Sequence, residues 1–578
     1  MRAQKLSDEL FIRPIQLGAP LDGELYINAT FGEPRFNHFH SGLDLKTHGQ
    51  INKTVRSAEK GYVSRIKVSA TGYGHALYIN HPSGLTTVYA HLNHFVPAID
   101  AWVKAVQYQN KSFALDTILP DKRFTFEKGQ QIAYSGNTGG SSGPHLHFEV
   151  RETLSEWALN PMNFGLPVKD HLPPRVQSLK VYPIKKSFYD TPGEGWALRK
   201  VSDSLWVKNE PVHVPEGKVT FSVEAFDQQD LTPHNRNGIP IVRMFVNDTL
   251  VFLRNKIKID FSRTKYVHAE VDYRALKNSG LDYYLTCLLP NNIDTEAYQG
   301  SPTNGLLSLK QGEVKRIEIQ LEDFQGNISK VRFKVQGIST ETNSDSINYL
   351  STTFTNGEKR LSGATLSWTD RTFYDLIPSK VKALQHSKSQ YSQTYYIFKN
   401  EVFPIQQGLE LTFNQWNIPE NLISKTVLVA IDAKNKKSAS PVTFIAHVIK
   451  AKVQEAAEVY LDVDTTAPQI KIINLHRTTE TFTGKKIQVR ISDELSGIKS
   501  YSGYIDGKWV LFEYDAKNKL LTYYFDQLPS GNHELVLRVT DAVNNIQEKK
   551  LSLKIKKYVR SRPKSTGYNF ERPKWARD

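Results

Sequence analysis

Tyr134–Val150 reads YSGNTGGSSGPHLHFEV, a run of glycine, serine and asparagine that feeds into an alternating segment. In a β-strand, residues i and i+2 point to one face. His145 and His147 therefore present two imidazoles on one side, while Leu146 and Phe148 point to the other. The alternation continues to Val150, so one face is polar and the other apolar. Catalytic zinc sites take three protein ligands and a water, with histidine nitrogen and aspartate oxygen as suitable donors. Two imidazoles on one strand face are a start on such a site.

Two upstream stretches supply the rest. Phe31–Lys46 (FGEPRFNHFHSGLDLK) carries His40 and Asp44, which bracket Gly42. A glycine there is expected to let the chain turn so that imidazole and carboxylate converge. Val88–Leu92 (VYAHL) carries His91. The chain has 1 cysteine, which excludes an intramolecular disulfide framework and a cysteine-based metal cluster. Cys287, within the apolar run YYLTCLL, reads as a small buried hydrophobe. Any catalytic metal then falls to His, Asp or Glu. His40, Asp44 and one of the pair His145/His147 form a ligand set, with spare imidazoles beside an open position. His38, two residues before His40, is a candidate for contacting the ligands or the substrate. His48, His75, His81 and His94 have no partner at ligand spacing and read as structural or exposed.

These motifs, in this order, resemble the lysostaphin-like family of zinc metallopeptidases, which hydrolyse cell-wall peptides. The likeness rests on FHSGLDL (Phe39–Leu45), YAHL (Tyr89–Leu92) and GNTGGSSGPHLHFEV (Gly136–Val150). The intervening GYVSRIKVSATGYGHALYINHPSG (Gly61–Gly84) and KGQQ (Lys128–Gln131) agree with it, and together they cover under a third of the chain. The resemblance implies one Zn2+ held by His40, Asp44 and His147, with His91 and His145 catalytic rather than ligating. It implies an endopeptidase acting on peptidoglycan stem peptides through a metal-activated water. It also implies an extracytoplasmic, periplasmic location similar to that of Gram-negative Bacteroidetes-type proteins. Members with degraded metal motifs act as scaffolds or activators of other wall hydrolases, but here all five positions are intact. One departure is the stretch between His94 and Lys128, longer than the family usually has. It is expected either to form a wall or lid of the substrate groove or to be a passive insertion. Within it, Ala98–Asn110 (AIDAWVKAVQYQN) has apolar residues at helical spacing behind Pro97.

The remaining chain reads as strand and turn, so the fold class is all-β. With 578 residues, several cores are needed. An antiparallel metallopeptidase domain is expected over 1–167, with the helical insertion at about 96–127. Three immunoglobulin-like β-sandwiches follow, over 168–337, 338–457 and 458–557, and a basic tail over 558–578. The Pro-marked junctions Asp170–Pro174 (DHLPP) and Asp464–Pro468 (DTTAP) each lead into a strand. Three hairpins repeat a strand, Asp, turn with Asn, strand pattern, around Asp323 and Asn327, Asp432 and Asn435, and Asp541 and Asn544. Such side chains satisfy turn backbone. Asp493, Glu494 and Asp541, which invite a calcium reading, are likewise read as turn acids.

Hydrophobic residues at 39% and charged residues at 23% suit a globular chain, and no apolar run is long enough to span a bilayer. The polar start Met1–Leu10 lacks the apolar core of a leader, so the protein is either cytoplasmic or begins after a removed leader. The net charge of +15 would assist approach to an anionic wall. No helix-turn-helix, RNP-like motif or zinc finger accompanies it, which argues against nucleic acid. Part of the charge is local, in Lys549–Lys564, which reads as a solvated arm. The sandwiches are expected to position the enzyme or to bind another envelope protein.

Overall fold

The computed structural model describes residues 15–555, apart from 293, 299–300, 340–346, 352, 400, 475–480, 483–485 and 526–528. Both Met1–Leu10 and the tail over 558–578 lie outside the described residues.

The N-terminal domain is built on one antiparallel sheet. Its strands are β1 (Ile27–Ala29), β2 (Leu43–Lys46), β3 (Thr54–Arg56), β4 (Gly61–Val68), β5 (His75–Asn80), β6 (Leu85–Leu92) and β7 (His94–Phe95). After helix α1 (Pro97–Asn110) come β8 (Leu115–Ile118), β9 (Thr125–Phe126), β10 (Gln131–Tyr134) and β11 (His145–Glu152). The sheet order is β1-β2-β11-β6-β5-β4-β8, while β3-β10-β7 form a small second sheet. Leu43, Leu45, Tyr89, Leu146, Phe148 and Val150 form part of the core on one face. The opposite face is where the polar positions of β2 and β11 meet. β6 is buried along its whole length, as a central strand should be.

The insertion is not a loop. Pro97 occupies the first turn of α1, where its missing N–H costs nothing. Ile99, Val103 and Gln107 recur at four-residue spacing and form the buried face of the helix. The rest of the segment adds β8 and β9 to the exposed side of β4.

Everything after the first domain is again strand. Strands within Arg175–Ile338 form two sheets that share one core, Val176, Leu179 and Phe221 packing with Ile319, Val331 and Val335. Strands from Gly357–Leu361 to Ala457–Val463 form a second pair of sheets, and those from Gln469–Ile472 to Ile546–Ile555 a third. The 457/458 boundary needs moving: it cuts the strand Ala457–Val463, which pairs along Thr426–Ile431. The sheets change at Asp464–Pro468, the Pro-marked junction itself. Cys287 is buried and free in the core shared by the first two pairs, where burial pushes its thiol up to about 12. No helix among the described residues is long and apolar enough to cross a membrane.

Candidate metal centre

Strand register brings the first two motifs together. β2 runs antiparallel to β11 with Asp44 directly opposite His147, and on the other side of β11 His147 stands opposite Ala90 of β6. Directly opposed residues put their side chains on one face. His40 comes from the loop before β2. The expectation for Gly42 needs correcting: its φ is not positive. What requires glycine is close approach, since a Cβ there would lie 2.2 Å from the Phe148 carbonyl oxygen. The β2 backbone can therefore press against β11, and His40 and Asp44 arrive beside His147.

His40, Asp44 and His147 are all buried, and their ligand atoms form one group able to hold a metal. Hydrogen positions follow from the partners. His40 Nδ1 lies 2.7 Å from the Thr30 carbonyl oxygen. A carbonyl only accepts, so Nδ1 carries the hydrogen and Nε2 a lone pair. On His147 the order is reversed, because Nε2 lies 2.8 Å from Glu149 Oε1 and Nδ1 keeps the lone pair. His40 Nε2, His147 Nδ1 and Asp44 Oδ1 stand 3.0, 3.0 and 2.9 Å from one another. Three acceptors at that spacing repel unless a proton or cation sits among them.

The electrostatics say the same. Burial would lower the His147 pKa, but the carboxylates of Asp44 and Glu149 outweigh it and push it up to about 9. Burial would raise Asp44, yet the charge of His40 and the close approach of His145, His147 and His40 hold it well below the usual carboxylate range. Two imidazoles and a carboxylate, with no further ligand in the group among the described residues, match a metal site that keeps a coordination position open.

His91 and His145 stand beside this group without joining it. Their rings are 4.8 Å apart, and His91 is 5.9 Å from His147. His91 Nδ1 donates to Thr138 O at 2.9 Å, which leaves its Nε2 as a free base, and His145 Nδ1 lies 2.9 Å from Gly143 O. His145 Nε2 lies 3.4 Å from Asp44 Oδ1. Burial and the neighbouring His147 and His145 push the His91 pKa down to about 3. His91 also has φ +57°, an uncommon conformation for a residue with a Cβ, at the point where β6 ends. His38 is exposed and bonded to Asn37 Oδ1, outside the group. His75 and His81 are bonded to backbone carbonyls, as structural histidines are.

A layer of supporting groups escaped the motif reading. Glu149 is fully buried and takes hydrogen bonds from His147 Nε2, Ser41 Oγ, Tyr73 OH and Arg151 Nε. Its presence was legible, since it continues the i, i+2 face of His145 and His147. Tyr73, stacked on His147 at 5.3 Å, carried no local signal.

The last pair of sheets returns to this site. Lys517, in the turn between Glu513–Asp515 and Leu520–Tyr524, donates to the carbonyls of Asn137 and Ser141, in the loop that leads to His145. Trp509 packs edge-on against Tyr108 of α1 at 5.3 Å. The insertion thus lies between the N-terminal core and the last sandwich.

Residues 38–161 match Peptidase family M23, so the N-terminal part of the chain is an M23, lysostaphin-like peptidase domain. A DD-carboxypeptidase/endopeptidase Mpg of Neisseria meningitidis is 29% identical over 131 residues, 23% of this chain and 24% of that protein. An uncharacterized metalloprotease of Haemophilus influenzae is 33% identical over 128 residues, 22% of this chain and 21% of that protein. The match thus spans no more than about a quarter of those curated relatives. Among solved structures, a zinc-containing peptidase from Vibrio cholerae is 29% identical with TM-score 0.18, over 24% of this chain and 36% of that one. The catalytic domain of lysostaphin from Staphylococcus simulans is 21% identical with TM-score 0.18, over 28% of this chain and 96% of that one.

Proposed function

We propose that this chain is a zinc-dependent endopeptidase that hydrolyses peptide cross-links of peptidoglycan. One observation carries the reading: His40 Nε2, Asp44 Oδ1 and His147 Nδ1 converge beside two further imidazoles, His91 and His145, whose Nδ1 atoms are held by backbone carbonyls. His40, Asp44 and His147 would hold the ion, which when bound supplies a Lewis acid and a water acidic enough to act as nucleophile near neutral pH. The chain's own residues do the rest. Thr30 O and Glu149 fix the ring orientation of the two ligating histidines. Of His91 and His145, one would accept the proton of the attacking water and return it to the leaving amine. The other would stabilise the oxygen that becomes negative in the tetrahedral intermediate.

A catalytically silent scaffold would have no use for the second pair of oriented imidazoles. The substrate implies an extracytoplasmic, periplasmic site of action, where the positive charge assists approach to an anionic polymer. The sandwiches would position the enzyme or receive another envelope protein. The test is mass spectrometry of the muropeptides released from purified sacculi by wild type and by His147→Ala. Products with newly freed stem-peptide termini from wild type alone are expected. Zinc-loaded wild type that releases nothing overturns the enzyme reading.

A further inference from the structure

A second group of ligating side chains lies away from the peptidase centre. Asp170, in the connector that leaves the N-terminal domain, meets Asp227 of the strand Gly217–Gln229 and Asp323 of the turn after Val314–Glu322. One carboxylate oxygen from each lies within 4.8 Å of the other two. The three residues are 7%, 1% and 1% exposed. The ion pairs of the described residues include none to any of them. Three buried carboxylates at this spacing cannot all stay charged without a cation.

The hydrogen bonds leave a gap in the same place. Asp323 Oδ1 is held by the N–H groups of Gln325 and Asn327, and its Oδ2 by Asn327 Nδ2. Asp227 Oδ2 accepts from Gln229 Nε2, but Asp227 Oδ1 is buried with no partner. Directly across the ladder from Asp227 stands Asn237, 1% exposed. Its Nδ2 donates to Gln229 Oε1, and its Oδ1 also has no partner. Two buried orphan oxygens, one of them a neutral amide oxygen outside the acidic cluster, are what an absent ligand leaves behind.

We propose that Asp170, Asp227 and Asp323, with Asn237 Oδ1, bind a divalent cation of the calcium class. An all-oxygen donor set with several carboxylates suits a hard ion that takes 6–8 oxygens, rather than the zinc of the His/Asp/His group. The ion would fasten the connector to the first sandwich. Asn327 Nδ2 already reaches the Asp170 carbonyl, and Phe324, beside Asp323, packs at 6.3 Å against Phe31 of the N-terminal domain. Filling the site would thus hold the peptidase domain on its neighbour.

A similar triad, Asp464, Asp493 and Asp541, occurs at the last junction and serves as a contrast. There Asp464 and Asp541 each have both oxygens in hydrogen bonds, and Asp493 Oδ1 takes two backbone N–H groups. That cluster carries no orphan carboxylate oxygen and no proposal.

The test is calorimetric titration of the full chain with calcium chloride, alongside its thermal transition with and without calcium. His147→Ala serves as the background, so that the peptidase centre does not contribute. One calcium per chain, preferred over magnesium, and a calcium-dependent rise in Tm are expected there. Asp227→Asn, which keeps the shape and removes the charge, is expected to weaken binding at least about 100-fold. No heat and no Tm shift with folded wild type and His147→Ala overturn the proposal. Binding that survives both Asp227→Asn and Asp323→Asn also overturns it, by locating the ion elsewhere.

Discussion

Lys517 Nζ donates to the Ser141 carbonyl at 2.9 Å, across 376 residues of sequence. The last sandwich therefore touches the loop that presents Gly143 O to His145 Nδ1. An exposed cation on backbone carbonyls contributes about 1 kcal/mol after solvent screening. Lys517→Ala is expected to lower kcat for muropeptide hydrolysis a few-fold while leaving one zinc per chain. Steady-state kinetics paired with metal analysis check it. Unchanged kcat would mean that the contact does not help place His145.

The two pairs of histidines should separate cleanly. His147→Ala is expected to lose zinc and hydrolysis together, with activity falling ~10³-fold or more as the Lewis acid goes. His91→Ala should keep zinc and lose ~10²–10⁴-fold, the range for a missing proton-transfer group. Inductively coupled plasma analysis of each variant, next to its turnover, distinguishes these roles. Loss of zinc from His91→Ala would make it a ligand.

Glu149→Gln probes the support under His147. It weakens the acceptor for Nε2–H, so zinc affinity should fall ~10–100-fold. It also leaves the buried Arg151 guanidinium without its carboxylate, which should cost about 3 kcal/mol in stability. Competition with a chelating dye gives the first quantity and denaturant unfolding the second.

The buried acids where the connector meets the first sandwich set a pH dependence. Burial, then the Asp323 charge, pushes the Asp170 pKa up to about 7, and Asp227 and Asp323 are raised as well, burial being the largest cause for each. Asp230, paired with His171, adds a minor push on Asp170. A carboxyl whose folded pKa exceeds its unfolded one binds more protons in the folded state, so stability falls as pH rises between the two values. In calcium-free buffer, Tm should therefore fall from about pH 4 to 7, more steeply in wild type than in Asp227→Asn. Calcium should restore it near pH 7. Differential scanning calorimetry across that range reads both effects.

Much of the site was legible because its signals are local. The i, i+2 alternation of His145 and His147, the His40–Asp44 spacing and the helix behind Pro97 each depend on a few consecutive residues. Glu149 lies on the same i, i+2 face, but nothing local marks it as the partner of His147 Nε2. By itself the sequence determined an all-β chain without a disulfide framework, a peptidase-like N-terminal domain and the five polar positions. Only the tertiary structure decided that Asp44 faces His147, that Tyr73 backs it, that Lys517 reaches the loop before His145 and that Asp170, Asp227 and Asp323 form one cluster. Those are register and docking relationships between segments far apart in the chain. No local periodicity encodes them, because they are set by which apolar faces the whole fold buries together.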